Sequence, residues 1–173
     1  MGSDKALLRL DETTFVQRAV KILCSAFEEV IVAGGSAQVQ RLVSVPVIPD
    51  AFADSGPLAG LMAALEYQSD NGVFLLAADM PRVTSDIVRA VAEPAVRGVH
   101  ARIAVSGSRD QPLCGAYGRG CLAKAMFGIA SGDRSMRAFL RRVRNVDRVQ
   151  VDDAQQLVNI NTPAEYQFLT AST

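Results

Sequence analysis

Residues 73–81 read VFLLAADMP, an apolar run that meets the carboxylate of Asp79, with a proline two positions later. A run this apolar predicts a strand over 73–78, buried on both faces as in a parallel sheet covered by helices. Asp79 then falls at the carboxyl edge of that sheet, where open α/β sheets bind their ligands. A carboxylate there suits Mg²⁺, which takes hard oxygen donors and is often shared with substrate phosphates. The plainer reading of Asp79 is a turn residue or a cap for the next helix.

Three other segments carry residues of matching chemistry. Lys5, in MGSDKALL, is a compact cation able to pair with phosphate oxygens, although a lysine near a terminus is ordinarily solvated. Asp50 ends VPVIPD and is followed by Ser55 and then by GPLAG, residues 56–60. Gly56-Pro57 signals a turn, and Gly60 lies in the first turn of the helix that follows. The free N–H groups there suit a phosphate or a base, and small residues let a flat base approach closely. An ordinary turn before a helix would read the same way. Asn159 and Asn161 alternate in VNINTP, so in an extended segment both carboxamides face one side. Two such groups can bind a substrate head group or orient metal-bound water. Thr162 reads more simply as the cap of the last helix, with Pro163 at its first position.

The elements that must position these residues alternate clearly. Helical spacing marks 14–27, 36–42, 58–68, 85–96, 122–129 and 135–143, with Gly98 as the exit of the fourth. Strands are expected at 29–33, 45–48, 73–78, 101–105 and 112–117, with 146–151 as an edge strand. Strands alternating with helices predict an α/β fold with a mostly parallel sheet. At 173 residues, 49% hydrophobic and 21% charged, the chain fits one soluble globular domain over 1–173.

Composition also excludes function classes. The 18 basic and 18 acidic residues cancel, so no overall positive field gathers nucleic acid. No apolar run reaches the ~18 residues of a membrane span, and no signal peptide is visible. Cys24, Cys114 and Cys121 are odd in number and lack CxxC spacing, which reads as reduced thiols of a cytoplasmic protein. His100 is the single histidine, placed at the entry to a strand and read as structural. Six arginines lie between 134 and 148, read first as a solvated helix face and second as a surface for an anionic partner.

In this order, MGSDKALL, an aspartate with GPLAG, LLAADMP and NINTP, the chain resembles the molybdenum cofactor guanylyltransferases, from residue 1 to about 169. The resemblance implies a three-layer α/β/α, Rossmann-like nucleotide-diphospho-sugar transferase fold. It implies transfer of GMP from GTP to the terminal phosphate of molybdopterin or Mo-molybdopterin, with release of pyrophosphate. It further implies Lys5 on the triphosphate, Asp50 on GTP, Gly56 and Pro57 against the guanine, and Asp79 as the Mg²⁺ ligand. Asn159 and Asn161 match asparagines near the reacting groups. Partners would be GTP, the pterin and other proteins of molybdenum cofactor biosynthesis, with no nucleic acid and no membrane.

The chain departs from the pattern twice. The family opens with a strand running into a glycine-rich LAGGxSxRMG loop, and this sequence begins at the loop's final Met-Gly; the expectation is a leading segment that precedes it. Ala33 stands where many relatives carry a nucleotide-contacting asparagine, leaving Ser36 or the backbone of Gly34 and Gly35 to substitute. Alternatives to GTP chemistry are a cytidylyltransferase or another small nucleotidyltransferase, and a relative that binds nucleotide without turnover. A phospho-acceptor receiver module fits less well, because it leaves GPLAG and NINTP unexplained.

Overall fold

Capping and apolar spacing set most element boundaries in the structure, a computed structural model that describes residues 4–49, 56–68, 72–93 and 99–171. A 3₁₀ turn at Lys5–Leu7 leads into a short antiparallel pair, β1 (Arg9–Leu10) and β2 (Thr13–Thr14). Thr14 opens α1 (Phe15–Cys24) through a capping box: its hydroxyl accepts from Gln17 N, and the Gln17 side chain accepts from Thr14 N. β3 (Val32–Ala33) is shorter than the expected 29–33, since only these two residues register in parallel with β4 (Val47–Ile48). Between them, α2 (Ala37–Leu42) starts at Ser36, whose hydroxyl accepts from Val39 N.

Gly56, at φ 65°, turns the chain into α3 (Pro57–Tyr67), with Pro57 at the first helical position. Residues 58–65 of α3 are all buried, as expected of a helix apolar on every side. β5 (Val73–Leu76) follows, then α4 (Ser85–Ala92), whose cap Thr84 accepts from Ile87 N. The expected exit of that helix at Gly98 lies outside the described residues. β6 (Ala101–Ser106) and β7 (Arg109–Tyr117) form a hairpin around Gly107, at φ 57°. α5 (Leu122–Ala130), α6 (Met136–Arg142), β8 (Val146–Gln150) and α7 (Pro163–Ala171) complete the chain.

The main sheet has the order β5-β7-β6-β8. β5 runs antiparallel to β7, β7 antiparallel to β6, and β6 parallel to β8, so β5, β6 and β8 share one direction. Three of the four strands share the expected direction, but two of the three pairings are antiparallel, because a two-residue turn allows no crossover and reverses β7 between β5 and β6. β8 lies at an edge, also as expected.

Helices cover both faces of this sheet. Val73 and Leu75 join Leu58, Leu61, Ile103, Tyr117 and Phe139 in a core beneath α3, α5 and α6. Phe74 and Leu76 alternate to the other face and pack with Val88, Val91 and Ala104, and with Ile22 and Phe27 from the α1 side. β5 therefore feeds two cores, as its apolar run predicts. All four of its residues are nevertheless only half-buried, because β5 is the last strand of this ladder among the described residues. A third cluster joins Leu10 and Phe15 to Ile160 and Leu169, bringing the start of the chain against α7. Among the described residues, no helix is long and apolar enough to cross a membrane.

Candidate active site

The apolar contact between the two ends of the chain builds the site. The Phe15 and Tyr166 rings meet edge to face at 6.1 Å, and Tyr166 Oη donates to Arg9 O at 2.7 Å. These ties hold the 3₁₀ turn that carries Lys5 beside the segment before α7. There Lys5 Nζ donates to Asn161 Oδ1 at 2.8 Å, joining residues 156 positions apart.

Asp79 lies further from its strand than the sequence suggests. Ala77 N makes the last bond to β7, at Leu113 O, and Met80 N then bonds Ala77 O, so Asp79 sits in the turn that follows β5. Met80 and Pro81 are buried under this turn. The turn is fixed from the far side of the sequence: Ile160 N donates to Asp79 O at 2.9 Å, and Asn159 Nδ2 donates to Asp79 Oδ1 at 3.0 Å. Extended alternation does what was expected of it here. Ile160 points into the core, while Asn159 and Asn161 on either side reach Asp79 and Lys5.

The electrostatics bind the group together. Burial pushes the Asp79 carboxyl above its ordinary value, while the Asn159 amide and the Lys5 charge pull it back. Glu165 is the part of the site that the sequence reading missed. Its Oε2 accepts from Asn161 N at 2.7 Å and from Thr162 N at 2.8 Å, while Thr162 Oγ1 accepts from Glu165 N at 3.2 Å. Thr162 is thus the expected cap, and the pair forms a reciprocal capping box. The T-x-x-E spacing of residues 162–165 was the available signal. The backbone N–H groups of Asn161 and Thr162 hold the Glu165 carboxyl below its ordinary value, and Lys5 adds to this.

Four of the expected residues, Lys5, Asp79, Asn159 and Asn161, therefore come together. Gly56 and Pro57 start α3 as expected, but make no hydrogen bond to these four. Asp50 lies outside the described residues. Gly60 packs under Ala33: a Cβ built on it would stand 3.5 Å from that of Ala33. Ser36, the other polar group expected near position 33, is committed elsewhere, capping α2 and donating to Asp4 Oδ2 at 3.2 Å, and Gly34 N donates to Ile48 O at 2.9 Å in the β3–β4 pair.

The donor set fits a shared rather than a caged cation. Among the described residues no three His, Cys, Asp or Glu side chains cluster as metal ligands. Asp79 offers one carboxylate with an oxygen beyond the Asn159 bond, as suits Mg²⁺ completed by water and substrate phosphates.

His100 Nδ1 lies 2.7 Å from Arg144 O, tying the entry of β6 to the residues before β8. Cys114 and Cys121 are buried and Cys24 is exposed. Arg142 binds Asp133 at 2.7 Å, and Arg148 binds both oxygens of Asp110 at 2.9 and 3.0 Å. Arg137 and Arg141 are exposed on α6, and Arg144 is exposed just beyond its end.

The sequence profile described as "MobA-like NTP transferase domain" matches residues 1–149. A Bacillus mycoides protein named probable molybdenum cofactor guanylyltransferase is 30% identical over 95% of this chain and 86% of its own length. The crystal structure of molybdopterin-guanine dinucleotide biosynthesis protein A from Archaeoglobus fulgidus has the same fold, with a TM-score of 0.82 at 22% identity, over 99% of this chain and 91% of that one. A Mycobacterium tuberculosis protein crystallised in complex with manganese matches with a TM-score of 0.73 at 17% identity, over 98% of this chain and 92% of that one.

Proposed function

Because the chain belongs to the MobA-like NTP transferase family, we propose that it transfers GMP from GTP to the terminal phosphate of molybdopterin, or of Mo-molybdopterin, in the cytoplasm. Residues 1–173 act in this as one nucleotidyltransferase domain. The observation that carries the reading is the convergence of Lys5, Asp79, Asn159 and Asn161 through bonds of 2.8 and 3.0 Å. The name of the Bacillus relative supports the choice of GTP and pterin.

The chemistry asks for little beyond these groups. The nucleophile is a phosphate oxygen that is already anionic at neutral pH, so no strong general base is needed. His100, held on Arg144 O, does not have to serve as one. The oxygen attacks the α-phosphorus of GTP, a new P–O bond forms, and the α–β bridge breaks with its electron pair leaving on pyrophosphate. The obstacles are repulsion between two anions and charge growing on the leaving group. Lys5 faces that charge as a point cation, released from Asn161 or shared with it. Asn161 and Asn159 fix Lys5 and Asp79, so the positions of both are set before substrate arrives. Asp79 is the residue that would hold Mg²⁺, which supplies charge neutralisation and polarisation of phosphate oxygens when bound. Asp50, Gly56 and Pro57 are assigned to the nucleotide, with the GPLAG turn against the base.

Pyrophosphate release with molybdopterin, measured separately with GTP, CTP, ATP and UTP, tests this. A clear preference for GTP supports the proposal. A preference for CTP makes the chain a cytidylyltransferase, and nucleotide binding without release makes it a relative that does not turn over.

A further inference from the structure

We propose that Glu165 is a positioning residue of this site: by accepting from the N–H groups of Asn161 and Thr162 it fixes the Asn161 carboxamide that holds the Lys5 ammonium. This rests on the transfer reading above for its catalytic consequence, but the latch itself rests on geometry alone.

One carboxylate oxygen, Glu165 Oε2, takes both N–H groups at 2.7 and 2.8 Å. A standard capping box needs only the second of these, from the cap residue Thr162. The first reaches one residue further back, to Asn161. That bond fixes the backbone of the residue whose side chain meets Lys5 at 2.8 Å. Glu165 itself is half-buried and anchored on α7, which packs into the chain-end cluster through Leu169. The Lys5 charge favours the ionised form of both the Asp79 and the Glu165 carboxyls. The direct partner of the ammonium is thus a neutral carboxamide. This steers it without the tight ion pair that would compete with a triphosphate. A carboxylate set directly on Lys5 would have to be displaced by every incoming substrate, whereas an amide oxygen yields more easily.

The test uses Glu165→Ala and Glu165→Gln, with Ser135→Ala as a control that removes an ordinary helix cap on α6. Glutamine retains an acceptor oxygen for the two N–H groups. Lys5, Lys21 and Lys124 are the lysines of the chain. The rate at which each amine is acetylated by trace acetic anhydride can therefore be followed by mass spectrometry in the substrate-free protein. Glu165→Ala is expected to raise the Lys5 rate several-fold relative to Lys21 and Lys124, while Glu165→Gln and Ser135→Ala leave it unchanged. An unchanged Lys5 rate in Glu165→Ala overturns the proposal.

The kinetic arm is a double-mutant cycle. Glu165→Ala should raise KM for GTP and lower kcat, Glu165→Gln should restore most of both, and adding Glu165→Ala to Lys5→Ala should cost little more. Fully additive losses also overturn the proposal, since they make Glu165 a cap and nothing else. Faster Lys5 labelling in a chain that turns over no nucleotide removes the transfer reading and leaves the latch standing.

Discussion

Asn159 donates its side-chain amide to Asp79 Oδ1 at 3.0 Å, joining residues 80 positions apart. The Asp79 backbone is held as well, through the bond from Ile160 N to its carbonyl. The turn after β5 and the segment before α7 are therefore joined through both the side chain and the backbone of Asp79. Together they present a half-buried carboxylate.

Asn159→Leu should expose the cost of that carboxylate. Burial already pushes the Asp79 carboxyl upward, and losing the amide donor pushes it further. A folded-state value above the unfolded one means that the native state holds the proton more tightly, so stability falls as pH rises through that interval. The variant should be about 1–3 kcal/mol less stable than the unsubstituted chain at pH 7. The deficit should narrow as pH falls through the raised folded-state value and the carboxyl takes up a proton. Urea melts across that range check both the size and the direction.

Glu165 gives the opposite sign. Its carboxyl is held below the ordinary value by the Asn161 and Thr162 N–H groups, so it contributes stability that is full above the unfolded value and is lost as pH falls through the folded one. Glu165→Gln keeps an acceptor but no charge. The Tm difference between the unsubstituted chain and Glu165→Gln should be positive and flat above about pH 5, and close below about pH 4. A difference that grows on acidification contradicts the assignment.

The thiols should separate into two classes. Burial pushes Cys114 to about 12 and Cys121 to about 11, so neither forms a thiolate near neutrality, while Cys24 is exposed. Titration with a thiol-reactive disulfide at pH 8 should show one fast equivalent in the native protein and the other two only in denaturant. Fast reaction of all three would mean that the sheet face carrying Cys114 opens readily.

Most of this was legible in the sequence because local rules agree with the fold. The apolar runs at 73–76 and 58–65, the caps at Thr14, Ser36, Thr84 and Thr162, and the proline at position 57 all mark elements where they occur. The alternation of Asn159 and Asn161 carried over directly into two side-chain bonds. What was not legible depends on long-range pairing. Glu29 to Ile31 has strand-like residues, yet only Val32 and Ala33 find a partner in β4. Asp79 appeared to end a strand, but the strand stops at Leu76 because the β7 ladder stops opposite Cys114. Glu165 could have been marked by the T-x-x-E spacing as a cap partner of Thr162, but no more than that. Its part in the site depends on Lys5 arriving from the other end of the chain, which no spacing rule reports.

The most direct measurement follows ³²P from α-labelled GTP onto molybdopterin, for the unsubstituted chain and for Asp79→Asn. Asparagine keeps the shape of the side chain and its bond with residue 159, but removes the charge. The account predicts label transfer by the unsubstituted chain and a loss of at least ~10²-fold in the variant, with its circular dichroism unchanged. Transfer by Asp79→Asn at a rate close to that of the unsubstituted chain would contradict it.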